Sequence, residues 1–322
     1  MINIGIVGYG NIGKGVEKAV LAAPDMQLRA IITRRDTKSI TPASSGVPVL
    51  TLDEAEKKTG EIDVMILCGG SATDLPEQGP RFAALFNIVD SYDNHLKIPE
   101  YMNAIDSAAK NTTAVISSGW DPGLFSIIRL LSGAALPDGQ AYTFWGYGVS
   151  QGHSDAIRHI DGVKNAIQYT VPVESAIDSV RSGARPDLQT RQKHRRDCYV
   201  VADPGADKDR ITKEIRSMPN YFADYDTTVC FIEDDELHAS HSRMPHGGTV
   251  LHSGRTGLNE HLIEFSLKLE SNPEFTGSIM TAYARAAFRM SREGLFGAKT
   301  VFDIPLMYLS EKDRLTLIKE LM

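Results

Sequence analysis

The sequence predicts an α/β protein: a doubly wound parallel sheet in the first part of the chain and a second, α+β domain after it. Three observations predict it. Residues 1–13, MINIGIVGYGNIG, place a short apolar run directly before Gly8-x-Gly10-x-x-Gly13, with a helix-like stretch behind. Strand-like and helix-like segments then alternate to about residue 123. Beyond that point the alternation gives way to strands with aromatic and polar residues interleaved.

Bulk properties bound the reading. At 322 residues the chain is long enough for two domains or one large one. A net charge of -7 and a pI near 5.7 argue against nucleic acid or an anionic membrane as the main partner. No apolar run approaches membrane-spanning length, and the N-terminus reads as strand rather than as a charged-then-apolar signal. Cys68, Cys198 and Cys230 form no CxxC or Cys/His cluster, which points to a reducing compartment and to no structural metal. The expectation is a soluble, cytoplasmic protein.

Residues 2–7 form the first strand, and each glycine after it has a physical task. Gly8 makes the tight turn, Gly10 has no Cβ and lets backbone approach a pyrophosphate, and Gly13 lets the helix over 11–23 pack close on the strand. The helix N-terminus offers N–H groups and partial positive charge to phosphates. A turn of purely structural purpose is the competing reading; the strand before and the helix after favour a dinucleotide site. Residues 28–33 read as the second strand, ending in Thr33-Arg34-Arg35. A carboxylate here would accept the ribose 2′-hydroxyl of NAD, whereas two arginines pair with a 2′-phosphate, so the cofactor is read as NADP(H). Asp36 follows, and a mixed-charge surface cluster is the alternative.

Residues 41–49 are a loop, 47–52 contain a short strand and 52–59 a polar helix. Residues 62–68 are a buried strand that ends in Cys68-Gly69-Gly70-Ser71-Ala72-Thr73-Asp74, where paired glycines let a cofactor lie over the backbone. A helix over 76–86 leads to a strand over 87–90 and then to Ser91-Tyr92-Asp93-Asn94-His95. A helix over 99–110 leads to a strand over 112–117 and to Ser118-Gly119-Trp120-Asp121-Pro122-Gly123. This is a Rossmann-type arrangement, in which ligands bind outside the carboxyl ends of the strands. Four such ends converge on one crevice, which places Asp93 and Asp121 near a nicotinamide.

In the second half, residues 125–135 read as helix and 141–149 as strand. Further strands fall at 162–171, 197–202 and 227–231; a helix over 174–185 runs into a charged loop over 186–196. A mostly antiparallel sheet leaves one face for a ligand or a partner subunit, hence the expectation of a homodimer. Residues 244–248 are a glycine-rich turn, 276–292 a long helix, and 301–321 contain a final helix. The expected division is a dinucleotide-binding domain over 1–121, with 298–322 packing back on it, and a substrate-binding and dimerisation domain over 122–297. Hinges are expected near Pro122-Gly123 and over 294–297.

A nicotinamide on the first domain sets the reaction class as hydride transfer to or from a small molecule. The candidate lining carries both signs. Asp93 and Asp121 are anionic, Arg195, Arg196 and His246 cationic, Gln151, Thr170 and the Gly152 amide neutral, with Trp145 an apolar wall. A hydroxy acid needs an arginine and a histidine but not two aspartates; a zwitterion uses both. Each residue has a plainer reading. The aspartates form turns or caps, the arginines belong to a solvated Lys193-His194-Arg195-Arg196 face, His246 is a turn histidine and Trp145 a core residue. Rival functions are another NADP-linked reductase, acting on a sugar, semialdehyde or cyclic imine without need of both aspartates, and a non-catalytic NADPH-binding sensor.

The motifs VGYGNIG (7–13), TRR (33–35), GSATDLPEQ (70–78), DSYDNH (90–95), SGWDPG (118–123), TFWGYGVSQGHSDA (143–156), CYVVAD (198–203), MPHGG (244–248) and SNPEFT (271–276) carry a resemblance. Over nearly its whole length the sequence resembles the meso-diaminopimelate dehydrogenase family. The resemblance implies NADP-dependent, reversible oxidative deamination of meso-2,6-diaminopimelate at its D-centre, within lysine and diaminopimelate biosynthesis. The products are L-2-amino-6-oxopimelate, which cyclises to tetrahydrodipicolinate, with ammonia and NADPH. It implies substrate contacts at Asp93, Asp121, Trp145, Gln151, Gly152, Thr170, Arg196, His246 and Asn272, with Asn259 a rival for the last. It favours Arg196 over Arg195. Implied cofactor contacts are Gly8, Tyr9, Gly10, Asn11, Ile12 and Gly13; Thr33, Arg34 and Arg35; Cys68, Gly69, Gly70 and Ser71; Ser91, Tyr92 and Asp93; and Ser117, Ser118, Gly119, Trp120 and Asp121. Thr33 and Tyr147 depart slightly from the family pattern. Under this reading Gln151 and Gly152 orient the reacting carboxylate, Arg196, Thr170 and His246 hold the distant one, and the aspartates hold the amino groups. No lysine sits in these motifs, so proton transfer falls to Asp93 or Asp121, directly or through a water.

Overall fold

A computed structural model describes residues 1–219 and 221–322, in two compact units: 1–127 with 273–322, and 128–272. In the first unit, β1 (Ile2–Val7) leads through the glycine turn into α1 (Asn11–Ala22), then β2 (Met26–Ile32) and a short β3 (Val49–Leu50). Thr51 and Glu54 close a capping box at the start of α2 (Leu52–Glu56), satisfying two N–H groups reciprocally. β4 (Val64–Leu67), α3 (Leu75–Ala83), β5 (Asn87–Asp90), α4 (Ile98–Ala108) and β6 (Thr113–Val115) complete the alternating run. All four residues of β4 are buried, because helices cover both faces of a parallel sheet; hence the unbroken apolar stretch VMIL. α5 (Leu124–Ala135) leads out of this run.

The second unit contains β7 (Asp138–Trp145), β8 (Gly148–Val149), α6 (Gln151–Arg158), β9 (Val163–Pro172), α7 (Glu174–Arg181) and α8 (Thr190–Lys193). β10 (His194–Ala202), α9 (Lys208–Ser217), β11 (Asp226–Phe231), α10 (Asp234–His241), β12 (His246–Thr256) and β13 (Asn259–Leu269) follow. Among the described residues they make two sheets, ordered β11-β10-β9-β8 and β13-β12-β7. Only the β10–β11 pair is parallel.

Two expectations are corrected here. The charged loop expected over 186–196 stops short: β10 begins at His194, so its side chains alternate. His194 and Arg196 face inward, 1 % and 4 % exposed, while Arg195 faces solvent beside Asp197. The glycine-rich turn expected over 244–248 instead opens an eleven-residue strand. Gly247 allows it, since at φ +139 a Cβ would stand 2.1 Å from the Leu267 carbonyl oxygen.

The chain then enters α11 (Asn272–Arg292), β14 (Gly297–Lys299) and α12 (Arg314–Leu321). β14 pairs with β6, giving a parallel sheet of order β14-β6-β5-β4-β1-β2-β3. The expected boundary at 297 therefore moves to 272, and Gly297, the last residue of the hinge expected over 294–297, opens β14. The cause is packing. α11 buries Met280, Tyr283, Ala284 and Ala287 in the same core as Ile4, Ile6 and Val16. It crosses α1 where two glycines meet: a Cβ on Gly277 would lie 2.5 Å from the Val16 nitrogen. Arg285 forks onto Asp25 at 2.6 and 2.7 Å and holds that carboxyl below its usual range. No helix among the described residues is long and apolar enough to cross a membrane.

Candidate active site

At the carboxyl ends of β1, β2 and β4 lies an open groove of about 370 Å³. Its walls are Gly8, Tyr9 and Gly10, then Thr33, Arg34 and Arg35, then Cys68, Gly69 and Gly70, with Asp74 just before α3 and Gln78 within it. Gly8 adopts φ +92, a conformation side chains rarely take. A Cβ on Gly13 would lie 2.2 Å from the Gly8 carbonyl oxygen, so the helix sits directly on the turn. A Cβ on Gly10 would meet nothing within 4 Å, so the space over the turn is open to a ligand. Asn11 and Ile12 begin α1, whose first-turn N–H groups have no intrahelical acceptor. Arg35 donates from Nη2 to the Tyr9 carbonyl at 2.8 Å, and its N–H donates to Thr33 Oγ1 at 3.0 Å. Arg34 forms an ion pair with Asp74, which also accepts the Gly70 N–H at 2.9 Å. Glycine turn, helix start and two cations match what a pyrophosphate and a 2′-phosphate need.

The next two strand ends carry the aspartates. Asp93 is exposed, and its N–H donates to Ser71 Oγ at 3.1 Å, tying the loop after β5 to the loop after β4. Ser91 is half-buried; the ring of Tyr92 turns into the core and stacks on Tyr101. After β6, Ser117 takes φ +54, Ser118 is buried, and Gly119 bridges to Gly123. Trp120 packs edge-on against Phe125 at 5.1 Å, and Asp121 is half-buried. Because β5 and β6 are neighbours, Asp93 and Asp121 stand on adjacent loops at the carboxyl ends of the strands.

In the second unit, Thr170 and Arg196 are register partners across β9 and β10, and the guanidinium donates to the Thr170 hydroxyl. Arg196 lies 3.9 Å over the Tyr225 ring. Among the described residues it forms no ion pair, and its Nε is buried without a hydrogen-bond partner. Burial holds its pKa below the ordinary arginine value. Burial first, and then the Arg196 charge, push His153 down to about 4 and His194 down to about 3, so both rings are neutral near pH 7. Neutral His194 accepts the Trp145 N–H at Nε2, 2.8 Å, and the two rings stack at 5.0 Å.

Gln151 and Asn272 both meet Met244. Gln151, at the start of α6, donates from Nε2 to Met244 Sδ at 3.1 Å, and the Asn272 N–H donates to the Met244 carbonyl at 2.9 Å. His246 packs on Gly148, where a Cβ would lie 2.5 Å from its Cγ, and Gly148 is the register partner of Thr170. The Gly247 N–H donates to His246 Nδ1 at 2.9 Å. Trp145 pairs in register with Gly248, and the space beside Gly152 is open. Asn259, the rival of Asn272, sits at the far end of the β12–β13 hairpin opposite Thr256. Sequence reasoning missed Tyr225, His194 and Asp74. Strand alternation in HRRDCYVVA carried a signal for His194; Tyr225 reaches Arg196 from before β11, and nothing local marks it.

Comparison with known proteins adds to this geometry. Residues 119–271 match the diaminopimelic acid dehydrogenase C-terminal domain. The chain is 58% identical to the meso-diaminopimelate D-dehydrogenase of Lysinibacillus sphaericus, over 100% of its own length and 99% of the relative's. It is similar to the structure of a Corynebacterium glutamicum DAP dehydrogenase in complex with DAP, with TM-score 0.93 and 45% identity, covering 100% and 99% of the two chains. It is also similar to an engineered D-amino acid dehydrogenase bound to NADP+, with TM-score 0.88 and 43% identity, again covering 100% and 99%. By glycine turn, arginine pair, mixed-sheet second unit and full-length identity, the chain belongs to the meso-diaminopimelate dehydrogenase family.

Proposed function

We propose that this protein is an NADP-dependent meso-diaminopimelate D-dehydrogenase acting in lysine and diaminopimelate biosynthesis. It converts meso-2,6-diaminopimelate, NADP+ and water to L-2-amino-6-oxopimelate, ammonium, NADPH and a proton. The single observation that carries the substrate reading is Arg196. A guanidinium 4 % exposed, braced by Thr170 and Tyr225 and lacking a carboxylate among the described residues, is completed by a carboxylate from a ligand. The cofactor reading rests on Arg34 and Arg35 at the end of β2, where a 2′-phosphate would lie, and on the open space over Gly10.

When bound, NADP supplies the nicotinamide that accepts a hydride. The chain's own residues do the rest. Arg196, Thr170, His246 and Asn272 hold the carboxylate of the distant L-centre. Gln151 and the Gly152 amide orient the carboxylate of the D-centre, with Trp145 as the apolar wall. Asp93 and Asp121 take the ammonium groups through charge-assisted hydrogen bonds. Hydride leaves the D-carbon only when its nitrogen has a free lone pair, so the ammonium must first lose a proton. Asp93 or Asp121, directly or through a water, accepts it. A D-amino acid without the second head group leaves Arg196 unpaired, so discrimination against it reaches about 10⁴.

The enzyme works as a cytoplasmic homodimer in this reading. Support comes from β13, an edge strand whose side chains are largely exposed, including Leu262. Sedimentation at micromolar concentration tests it. The test of the activity is NADPH formation with meso-diaminopimelate, its LL isomer, D-alanine and D-lysine. Only the meso compound should turn over rapidly, and the reverse reaction should require ammonium. Turnover of the LL isomer, or reduction without ammonium, would refute the reading.

A further inference from the structure

The two loops that carry Asp93 and Asp121 share one support, and it has no role in the reaction as described so far. Asp90, the last residue of β5, is completely buried. Its Oδ1 accepts the main-chain N–H of Tyr92 at 3.0 Å and of Ser117 at 2.9 Å. Its Oδ2 accepts the Tyr101 hydroxyl at 2.7 Å. Its own carbonyl oxygen accepts the N–H of Ser118 at 2.9 Å and the Ser118 hydroxyl at 2.8 Å. One residue therefore grips the start of both loops.

The grip falls where the sheet lets go. β5 and β6 pair through Ile88–Ala114 and Val89–Val115, and beyond Val115 the Asp90 side chain takes the Ser117 N–H while its carbonyl takes that of Ser118. There the chain bends away: Ser117 has φ +54, in the left-handed region that residues other than glycine rarely occupy. Such a conformation persists where its surroundings hold it, and the Ser117 N–H bond to Asp90 does so. Tyr101, from α4, stacks on Tyr92 at 4.1 Å while bonding Asp90, so ring and carboxylate are fixed together. Burying a carboxylate costs desolvation, and here three converging donors, which an apolar side chain would leave unpaired, offset that cost. Burial indeed pushes Asp90 up to about 6, against the pull of its three donors.

We propose that Asp90 is a positioning residue for the reaction: it sets the spacing of the loops bearing Asp93 and Asp121, and hence their fit to the substrate's amino groups. The role rests on the function proposed above. A carboxylate suits it because three donors converge on an acceptor-only group. An amide would turn its NH2 toward a main-chain N–H, or toward the Tyr101 hydroxyl, whose bond would then have to reverse.

Asp90→Asn and Tyr101→Phe, made in the full chain, test this with three readouts. Binding of 2′,5′-ADP reports the glycine turn and the arginine pair. Amide hydrogen exchange reports the loops. Steady-state kinetics with meso-diaminopimelate report the reaction. Asp90→Asn is expected to bind 2′,5′-ADP within about twofold of wild type and to exchange the Tyr92 and Ser117 amides roughly tenfold faster or more. Its kcat/KM should fall by about tenfold or more, with Tyr101→Phe between the two. Unchanged exchange at Tyr92 and Ser117, or unchanged kcat/KM, overturns the proposal; so does a loss of 2′,5′-ADP binding in step with activity, which marks general damage. If Asp90→Asn does not fold, Tyr101→Phe decides by the same criteria. If wild-type protein does not oxidise meso-diaminopimelate, the proposed function fails and the exchange rates alone judge the clamp.

Discussion

Replacing Arg196 by Met separates two energies that usually move together. Arg196 is 4 % exposed, its guanidinium supported by one hydroxyl and one aromatic face, with Nε unsatisfied. Methionine fills a similar volume without the desolvation cost. Exchanging buried charges for apolar groups stabilises by about 1–4 kcal/mol. Against that stand the lost Thr170 bond, about 1 kcal/mol, and the lost cation–π contact, about 1 kcal/mol. The net runs from roughly 1 kcal/mol against the variant to about 2 kcal/mol in its favour, so its apo Tm should stay within about two degrees of wild type or exceed it. Activity should move the other way. A forked guanidinium–carboxylate contact has two charge-assisted bonds at about 1.5–3 kcal/mol each, not fully additive. Some 3–4 kcal/mol then corresponds to about 10²–10³ in kcat/KM for meso-diaminopimelate. D-Alanine has no distant carboxylate and should lose little or gain. Thermal melts of apo protein and kinetics on both substrates measure this. Equal losses on the two substrates, or a Tm several degrees lower, would refute it.

Two glycines of one turn should respond oppositely. Gly10→Ala adds a methyl to open space, so Tm should hold while NADPH affinity, read by fluorescence titration, falls about 10²-fold or more. Gly13→Ala drives a Cβ to 2.2 Å from the Gly8 carbonyl oxygen, and should lower stability by about 1–3 kcal/mol. The neutral histidines predict a pH dependence. With His153 held at about 4 and His194 at about 3, both folded pKa values lie below the unfolded value near 6.5. The unfolded chain then binds protons the folded one does not. Stability is full above about pH 6.5 and declines as pH falls toward about 3, the His194 value. Denaturation midpoints in that range should fall in wild type and flatten when both histidines are replaced by glutamine.

How legible the protein was in its sequence depends on the range of the forces involved. The glycine turn is local chemistry, and Gly8, Gly10 and Gly13 behave as their spacing requires. Arg34 and Arg35 line the groove as their place after β2 implies. The run Lys193-His194-Arg195-Arg196 misleads because four polar residues look like a solvated face. Only the strand's alternation separates inward Arg196 from outward Arg195. The β12–β13 hairpin was readable in principle: Ile263, Phe265, Leu267 and Leu269 alternate with polar residues, and Gly257 turns at φ +59. The allegiance of α11 was not, since an apolar helix face shows that it is buried but not against what. Asp90 and Asp93 sit in one short motif. Burial and hydrogen bonds, which no local pattern encodes, tell the buried clamp from the exposed ligand candidate.

The most direct measurement is a crystal structure with NADP and meso-diaminopimelate bound. One substrate molecule is expected to place its distant carboxylate on Arg196 and its D-centre nitrogen on Asp93 or Asp121. A bound substrate that leaves Arg196 without a carboxylate, or touches neither aspartate, would contradict the assignment.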